Sequence, residues 1–233
     1  MITAKLRGED LNKRATLAFG VVGAGVLLAS MLLDSVPWLM WMFKPLIIPV
    51  LAWWWITARR GDQRLGQRYF MVAMAGSWWG DVALMFPGDG AFIMGLIGFL
   101  IGHLGFIGAF SRPGPPPGAR RVPWGAIAAL VACGLLLLLV LWNNLGALRL
   151  PVMVYAGVLV TMASVAVGLR GRVRTGAYPW LAMGAVLFVV SDSLIALNKF
   201  GGAFFGAGFF VLLTYLIAQY TLVRGWIMHT QPS

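Results

Sequence analysis

Seven of the 233 residues are acidic, and two of them, Asp81 and Asp192, fall inside long apolar runs. The other five, Glu9, Asp10, Asp34, Asp62 and Asp89, lie in the N-terminal tail or in turns. A carboxylate in hydrocarbon costs about 2.5–3.5 kcal/mol on insertion scales, so one that persists there marks a functional site by default. Lys44 is the only basic residue well inside an apolar run, and His103 sits near the middle of another. Two acids held in an apolar pocket suit general acid–base hydrolysis. Burial disfavours the charged form of a carboxylic acid, so one of the pair can keep its proton while the other works as a base.

Each of these residues also has a purely structural reading. Asp81 or Asp192 paired with Lys44 would simply hold helices together. His103 follows Gly95, Gly98 and Gly102, with Gly105 and Gly108 beyond, and small residues at those spacings allow close helix contact. A packed, hydrogen-bonded histidine fits that setting as well as a working one. Tyr215 and Gln219 lie four apart and share a helix face, which suits interhelical bonding as much as substrate contact. Trp78 and Trp79 could wall a pocket or face lipid. Trp53, Trp54 and Trp55 are expected at an interfacial aromatic belt.

Other chemistries have no signature here. There is no Gly-x-Ser-x-Gly elbow, no His-Glu-x-x-His and no glycine-rich phosphate loop. A metal centre is not expected. The single cysteine, Cys133, lies in an apolar run and excludes an intrachain disulfide.

The elements that must position these residues follow from composition. Hydrophobic residues make up 60% of the chain and charged ones 11%, against about 25% charged in soluble domains. With a mean hydropathy of +0.85, the expected fold is all-α: a single polytopic membrane domain over 1–233 with about eight spanning helices. The apolar runs place them at about 16–33, 38–57, 68–86, 90–111, 123–142, 150–169, 178–198 and 203–226, each close to the roughly 20 residues that a bilayer requires. The first is long enough to remain as a span, so no cleavable signal peptide is expected.

Charge sets the orientation. Lys5, Arg7, Lys13, Arg14, Arg59, Arg60, Arg64, Arg68, Arg112, Arg120, Arg121, Arg170, Arg172, Arg174 and Arg224 fall on one side, whereas only Arg149 and Lys199 fall on the other. By the positive-inside rule both termini are expected in the cytoplasm and the chain in the cytoplasmic membrane. The net charge of +11 therefore reflects topology, and no nucleic-acid partner is expected: the basic residues sit in short clusters between apolar runs, not along one helix face. The Pro-rich stretch Arg112 to Arg121 reads as a short connector.

Depth brings the ionisable residues together. Lys44, Asp81 and Asp192 each lie five or six residues from the outer end of their spans, or roughly 8–9 Å below the outer surface at 1.5 Å rise per residue. Tyr155 falls at a similar level. One polar pocket is the expectation. A weak internal repeat runs alongside: Asp81 and Asp192 are each followed by Gly-Ala-Phe, at Gly90–Phe92 and Gly202–Phe204, and His103 follows the first as Tyr215 follows the second. A duplication would make two parallel four-helix repeats with a site at their interface; short apolar words also recur by chance.

Taken in order, Lys44-Pro45 with Pro49, Gly80-Asp81 with Leu84, then Phe92, Gly95, Phe99 and His103, and then Tyr155 resemble the YhhN-like lysoplasmalogenase family. Gly184 to Phe188 leading into Ser191-Asp192, and Tyr215 with Gln219, complete the resemblance over about 40–225. It implies an eight-helix hydrolase that cleaves the vinyl ether bond of lysoplasmalogen, giving a fatty aldehyde and glycerophosphocholine or glycerophosphoethanolamine. Asp81 and Asp192 would be the catalytic pair, and Lys44, His103, Tyr155, Tyr215 and Gln219 would bind substrate. No metal or cofactor would be needed; the partners would be a lysophospholipid and the bilayer. A related lysolipid remains open as the substrate. The same buried acids would also serve a transporter or lipid carrier.

Overall fold

A chain this apolar has to satisfy its backbone within itself, and in the computed structural model it does so with helices. The described residues are 2–32, 35–58, 64–113 and 123–230, with backbone only at 2–9 and 64–65. Among them there is no strand. The turns expected around Asp34, Arg59 to Arg68 and Arg112 to Arg121 lie wholly or partly outside the described residues.

The helices are α1 (Ile2–Met31), α2 (Trp38–Phe43), α3 (Ile47–Ala58), α4 (Arg64–Ala83), α5 (Asp89–Phe110), α6 (Trp124–Leu141), α7 (Arg149–Val167), α8 (Tyr178–Ala196) and α9 (Ala207–Thr230). A 3-10 turn at Lys44–Leu46 joins α2 to α3, so these two form one broken span. Pro45 causes the break: without an N–H it cannot continue the helical ladder. Its own carbonyl accepts a 3.0 Å hydrogen bond from Trp78 Nε1. Among the described residues the result is an eight-rod membrane bundle. Seven of the rods are long and apolar enough to cross a bilayer; the exception is α4, which carries Arg64, Gln67 and Arg68 at one end and Asp81 at the other.

Several boundaries move from their expected places. Helix α1 begins at Ile2, far ahead of the apolar run, and α4 begins at Arg64 and ends at Ala83. Helix α8 ends at Ala196 in a π turn, Leu197–Gly201, and α9 starts only at Ala207. Hydropathy finds the lipid-facing stretch, whereas backbone hydrogen bonding carries a helix on into water.

Two helix pairs pack most closely, α4 on α5 and α8 on α9. Helices in lipid gain little from apolar burial against one another, so close approach and dispersion contacts must hold them. Glycine makes that approach possible in the first pair. A Cβ on Gly98 would stand 2.6 Å from the Gly80 nitrogen, and one on Gly76 would stand 2.5 Å from the Gly102 nitrogen. Toward the Arg64 end of α4 an aromatic core closes the bundle, with Phe70 stacked on Trp226 at 5.3 Å and tilted against Trp55 at 5.3 Å.

That core corrects one expectation. Of the three consecutive tryptophans, Trp53 is exposed, but Trp54 and Trp55 are buried. Trp54 Nε1 donates to Asn12 Oδ1 at 2.9 Å, and its ring stacks on Tyr220. Three successive helical residues point about 100° apart, so a run of three cannot all face the interface. Trp78 and Trp79 are both largely exposed on the outer surface of α4. Helix α6 leans on α7 and exposes Leu135, Leu136, Leu139 and Val140, with Cys133 exposed on the same helix.

Candidate active site

Asp192 sits one turn before the end of α8 and takes partners from two other helices. The Tyr155 hydroxyl, on α7, donates to Asp192 Oδ2. His103 Nε2, on α5, lies 3.0 Å from the Tyr155 oxygen and 3.3 Å from Asp192 Oδ2. Since the tyrosine proton is already directed at the carboxylate, both oxygens face the imidazole as acceptors. That assigns the proton to Nε2 and leaves Nδ1 without a partner.

Asp81, near the end of α4, has a separate set. The Tyr215 hydroxyl, on α9, donates to Asp81 Oδ2 at 2.6 Å, and Gln219 Nε2 donates to the Tyr215 oxygen at 3.1 Å. Lys44, at the α2–α3 break, faces Asp81 as its electrostatic partner without forming an ion pair. Asp81 and Asp192 are close enough to act on each other electrostatically. Phe99 and Phe188 pack between the two sets: Phe188 meets His103 at 4.7 Å and Tyr215 at 5.5 Å, and Phe99 meets Tyr215 at 5.8 Å.

The seven residues singled out in the sequence therefore gather toward the Ala83 end of α4 and the Ala196 end of α8, as two linked clusters and not one open pocket. His103 is both a packed histidine and a partner of the carboxylate. Neither aspartate is ion-paired to Lys44.

Among the described residues, the Asp192 cluster is the one that opens into a cavity. A cavity of about 40 Å³ lies between the ends of α4 and α8 and the beginnings of α5 and α7. Its walls are apolar, from Leu84, Phe92, Leu96, Phe99, Ile195 and Phe200, and the polar groups that line it belong to Asp192 and Tyr155. Asp192 is 7% exposed, whereas Asp81 is 2% exposed and does not reach the cavity. A second apolar groove, between α5 and α7, runs along Ile93, Ile97, Leu100, Pro151 and Val154 and shares Leu96 and Tyr155 with the first. The wall residues are ordinary apolar types that sequence alone does not separate from lipid-facing ones; Leu84, Phe92 and Phe99 carried a signal only through the resemblance.

A buried acid with a tyrosine and a histidine on it, opening into an apolar cleft within a helical membrane bundle, is an arrangement able to exchange a proton with an apolar molecule. The comparisons are more specific. The chain belongs to the YhhN family, whose model matches residues 39–226. It is 35% identical over 137 residues to a lysoplasmalogenase of Mycobacterium tuberculosis (strain CDC 1551 / Oshkosh), covering 58% of this chain and 51% of that protein. It is 34% identical over 140 residues to lysoplasmalogenase TMEM86B of Sus scrofa, covering 60% and 55%. With lysoplasmalogenase TMEM86B of Homo sapiens the identity is 28% over 201 residues, covering 86% and 80%. The chain thus spans about half the length of the mycobacterial relative it matches. No solved structure matches it.

Proposed function

We propose that this protein is a membrane lysoplasmalogenase that hydrolyses the vinyl ether bond of a lysoplasmalogen at Asp192. The observation that carries the reading is the placement of Asp192: a hydrogen-bonded acid at the floor of an apolar cavity. The relatives named above point to the same substrate class.

The chemistry needs one mobile proton. Protonated Asp192 gives its proton to the alkene carbon remote from the ether oxygen, and the adjoining carbon becomes an oxocarbenium ion. Water adds there and returns a proton to the Asp192 carboxylate. The hemiacetal then collapses: its hydroxyl proton is lost, the glycerol oxygen gains one, and the C–O bond breaks to release aldehyde and alcohol. The sum is the addition of one water. Two-carboxylate glycosidases pass through a similar cation. Tyr155 and His103 hold the acid in place and stand ready to hydrogen-bond the water.

Asp81 supplies a second negative charge, held by Tyr215 and Gln219 and balanced by Lys44. It steadies the oxocarbenium ion from behind Phe99 without touching substrate, and in this arrangement Lys44 serves Asp81. The fatty chain leaves the cavity past Leu96 and Tyr155 and lies in the groove between α5 and α7. The positive-inside pattern orients both termini to the cytoplasm, so the site opens toward the opposite leaflet.

Purified protein incubated with lysoplasmenylethanolamine, without metal or nucleotide, should release fatty aldehyde, and Asp192→Asn should abolish that release while still binding lysolipid. Folded wild type that yields no aldehyde with either the choline or the ethanolamine headgroup defeats this reading.

A further inference from the structure

The fold places one cation on the rim of the Asp192 cavity. Lys199 lies in the π turn Leu197–Gly201 that follows α8, seven residues beyond Asp192. Its Nζ is 2.7 Å from Asp89 Oδ1, at the first turn of α5. It also stands 5.2 Å from the centroid of the Phe92 ring, which meets Phe200 edge-on at 5.8 Å. Both rings line the cavity. Lys199 is thus tied to the mouth of the site by an ion pair and by the aromatic wall together.

Two features single out this lysine. It is one of only two basic residues on the outer side of the chain, and the other, Arg149, is engaged elsewhere: its Nε donates to the Trp142 carbonyl and its guanidinium lies over the Trp142 ring. A π turn is also an uncommon way to leave a helix and is frequent at functional sites.

We propose that Lys199 binds the phosphate of the lysolipid, and that Asp89 is the intramolecular stand-in for that phosphate. The inference rests on the lysolipid reading above and extends it to the headgroup, which Asp192 and the apolar walls do not address. Distance supports it. Seven helical residues separate Lys199 from Asp192 by about 10 Å along the axis. The phosphorus and the reactive alkene carbon of a lysoplasmalogen are seven bonds apart, about 8 Å when extended. A lysine side chain bridges the remainder. The exchange of partners costs little, because the side chains of Lys199 and Asp89 are 36% and 76% exposed and exposed ion pairs contribute little to stability. A phosphate carries more charge and more acceptor oxygens than the carboxylate it displaces.

Binding of two uncleavable ligands tests this without relying on turnover: 1-O-hexadecylglycerol 3-phosphate and 1-O-hexadecylglycerol, which differ only in the phosphate. Lys199→Gln should weaken the phosphate-bearing ligand about tenfold and leave the other unchanged. Asp89→Asn should tighten the phosphate-bearing ligand about two- to fivefold, because a competing carboxylate is gone. The opposite signs are the point, since a merely structural latch would be harmed alike from either side. Equal loss of both ligands in Lys199→Gln, or weaker phosphate-ligand binding in Asp89→Asn, overturns the assignment. Displacement of the lipid by millimolar inorganic phosphate would make this a site for free phosphate and overturn it also. Should wild type bind as expected but release no aldehyde from lysoplasmalogen, the phosphate site stands and the hydrolase reading alone fails.

Discussion

The two carboxylates occupy corresponding places in the chain but not in the chemistry. Asp81 lies near the end of α4 and Asp192 near the end of α8, each on the first helix of a closely packed pair. The hydrogen bonds then cross. Asp81 takes its tyrosine from α9, the second helix of the other pair, and Asp192 takes its histidine from α5. Each acid thus ties one pair to the other. The difference lies in what surrounds them. Asp192 faces the cavity, with Tyr155 of α7 as an additional donor, whereas Asp81 is closed off with a lysine behind it. In the mechanism proposed above, one acid reacts and the other supports.

The largest effect is expected at Asp192. Asp192→Asn should lower kcat by at least about 10³-fold, near the upper range for loss of a general acid–base group. The asparagine can still accept from Tyr155, so its melting temperature should stay close to wild type. Wild-type turnover in this variant would move the chemistry to Asp81 or away from both acids.

Asp81→Asn should act differently and less. It leaves the half-buried Lys44 charge without its balancing carboxylate, and a charge removed from water and left uncompensated is destabilising. A clear drop in thermal stability is expected, with kcat down about 10- to 100-fold. Adding Lys44→Met should restore stability but not turnover, because the charge that steadies the cation stays absent. If the double variant recovers activity as well, Asp81 serves only to balance Lys44.

How much of this was legible beforehand depends on what each residue does. Charged and polar residues in apolar runs stand out, so Asp81, Asp192, Lys44 and His103 were visible from type and position, and Tyr215 with Gln219 from spacing. The eight-rod membrane bundle followed from hydropathy. Which acid is open was not legible, because that depends on whether Leu84, Phe99 and Ile195 face a cavity or a neighbour, and their types are the same in either case. Depth along a span placed Lys44, Asp81, Tyr155 and Asp192 at one level but said nothing of rotation about the helix axis. Rotation is what separates the single expected pocket from the two observed clusters. The Lys199–Asp89 pair was hidden for a related reason: each residue sits in a turn, where charge is ordinary.

The two kinds of helix contact differ at a smaller scale. In α4–α5 the limiting contacts are backbone on backbone, so a methyl group has nowhere to go. Gly98→Ala should cost about 1–3 kcal/mol of stability, as overpacking does in close-packed interiors. Gly23 on α1 has only the Leu216 side chain nearby, at 3.6 Å, so Gly23→Ala should be neutral or slightly stabilising. Thermal unfolding of both in the same detergent checks this, and equal effects would mean that the α4–α5 contact is looser than drawn.

The finest distinction is between the two tyrosines. Tyr155→Phe removes a donor from the acid that faces the cavity, leaving Asp192 held by His103 alone. About a tenfold loss in kcat is expected, since a hydrogen bond to a charged group is worth about 1.5–3 kcal/mol and part of it serves orientation. Tyr215→Phe removes the donor from Asp81 and strands the Gln219 amide. Because Asp81 acts at a distance from substrate, turnover should fall only about threefold, while stability falls by about 1 kcal/mol for the polar groups left unsatisfied. Parallel measurement of kcat and melting temperature separates the two cases. A larger kcat loss in Tyr215→Phe than in Tyr155→Phe would reverse the roles of the carboxylates, because it would require the closed acid to be the one that meets the vinyl ether.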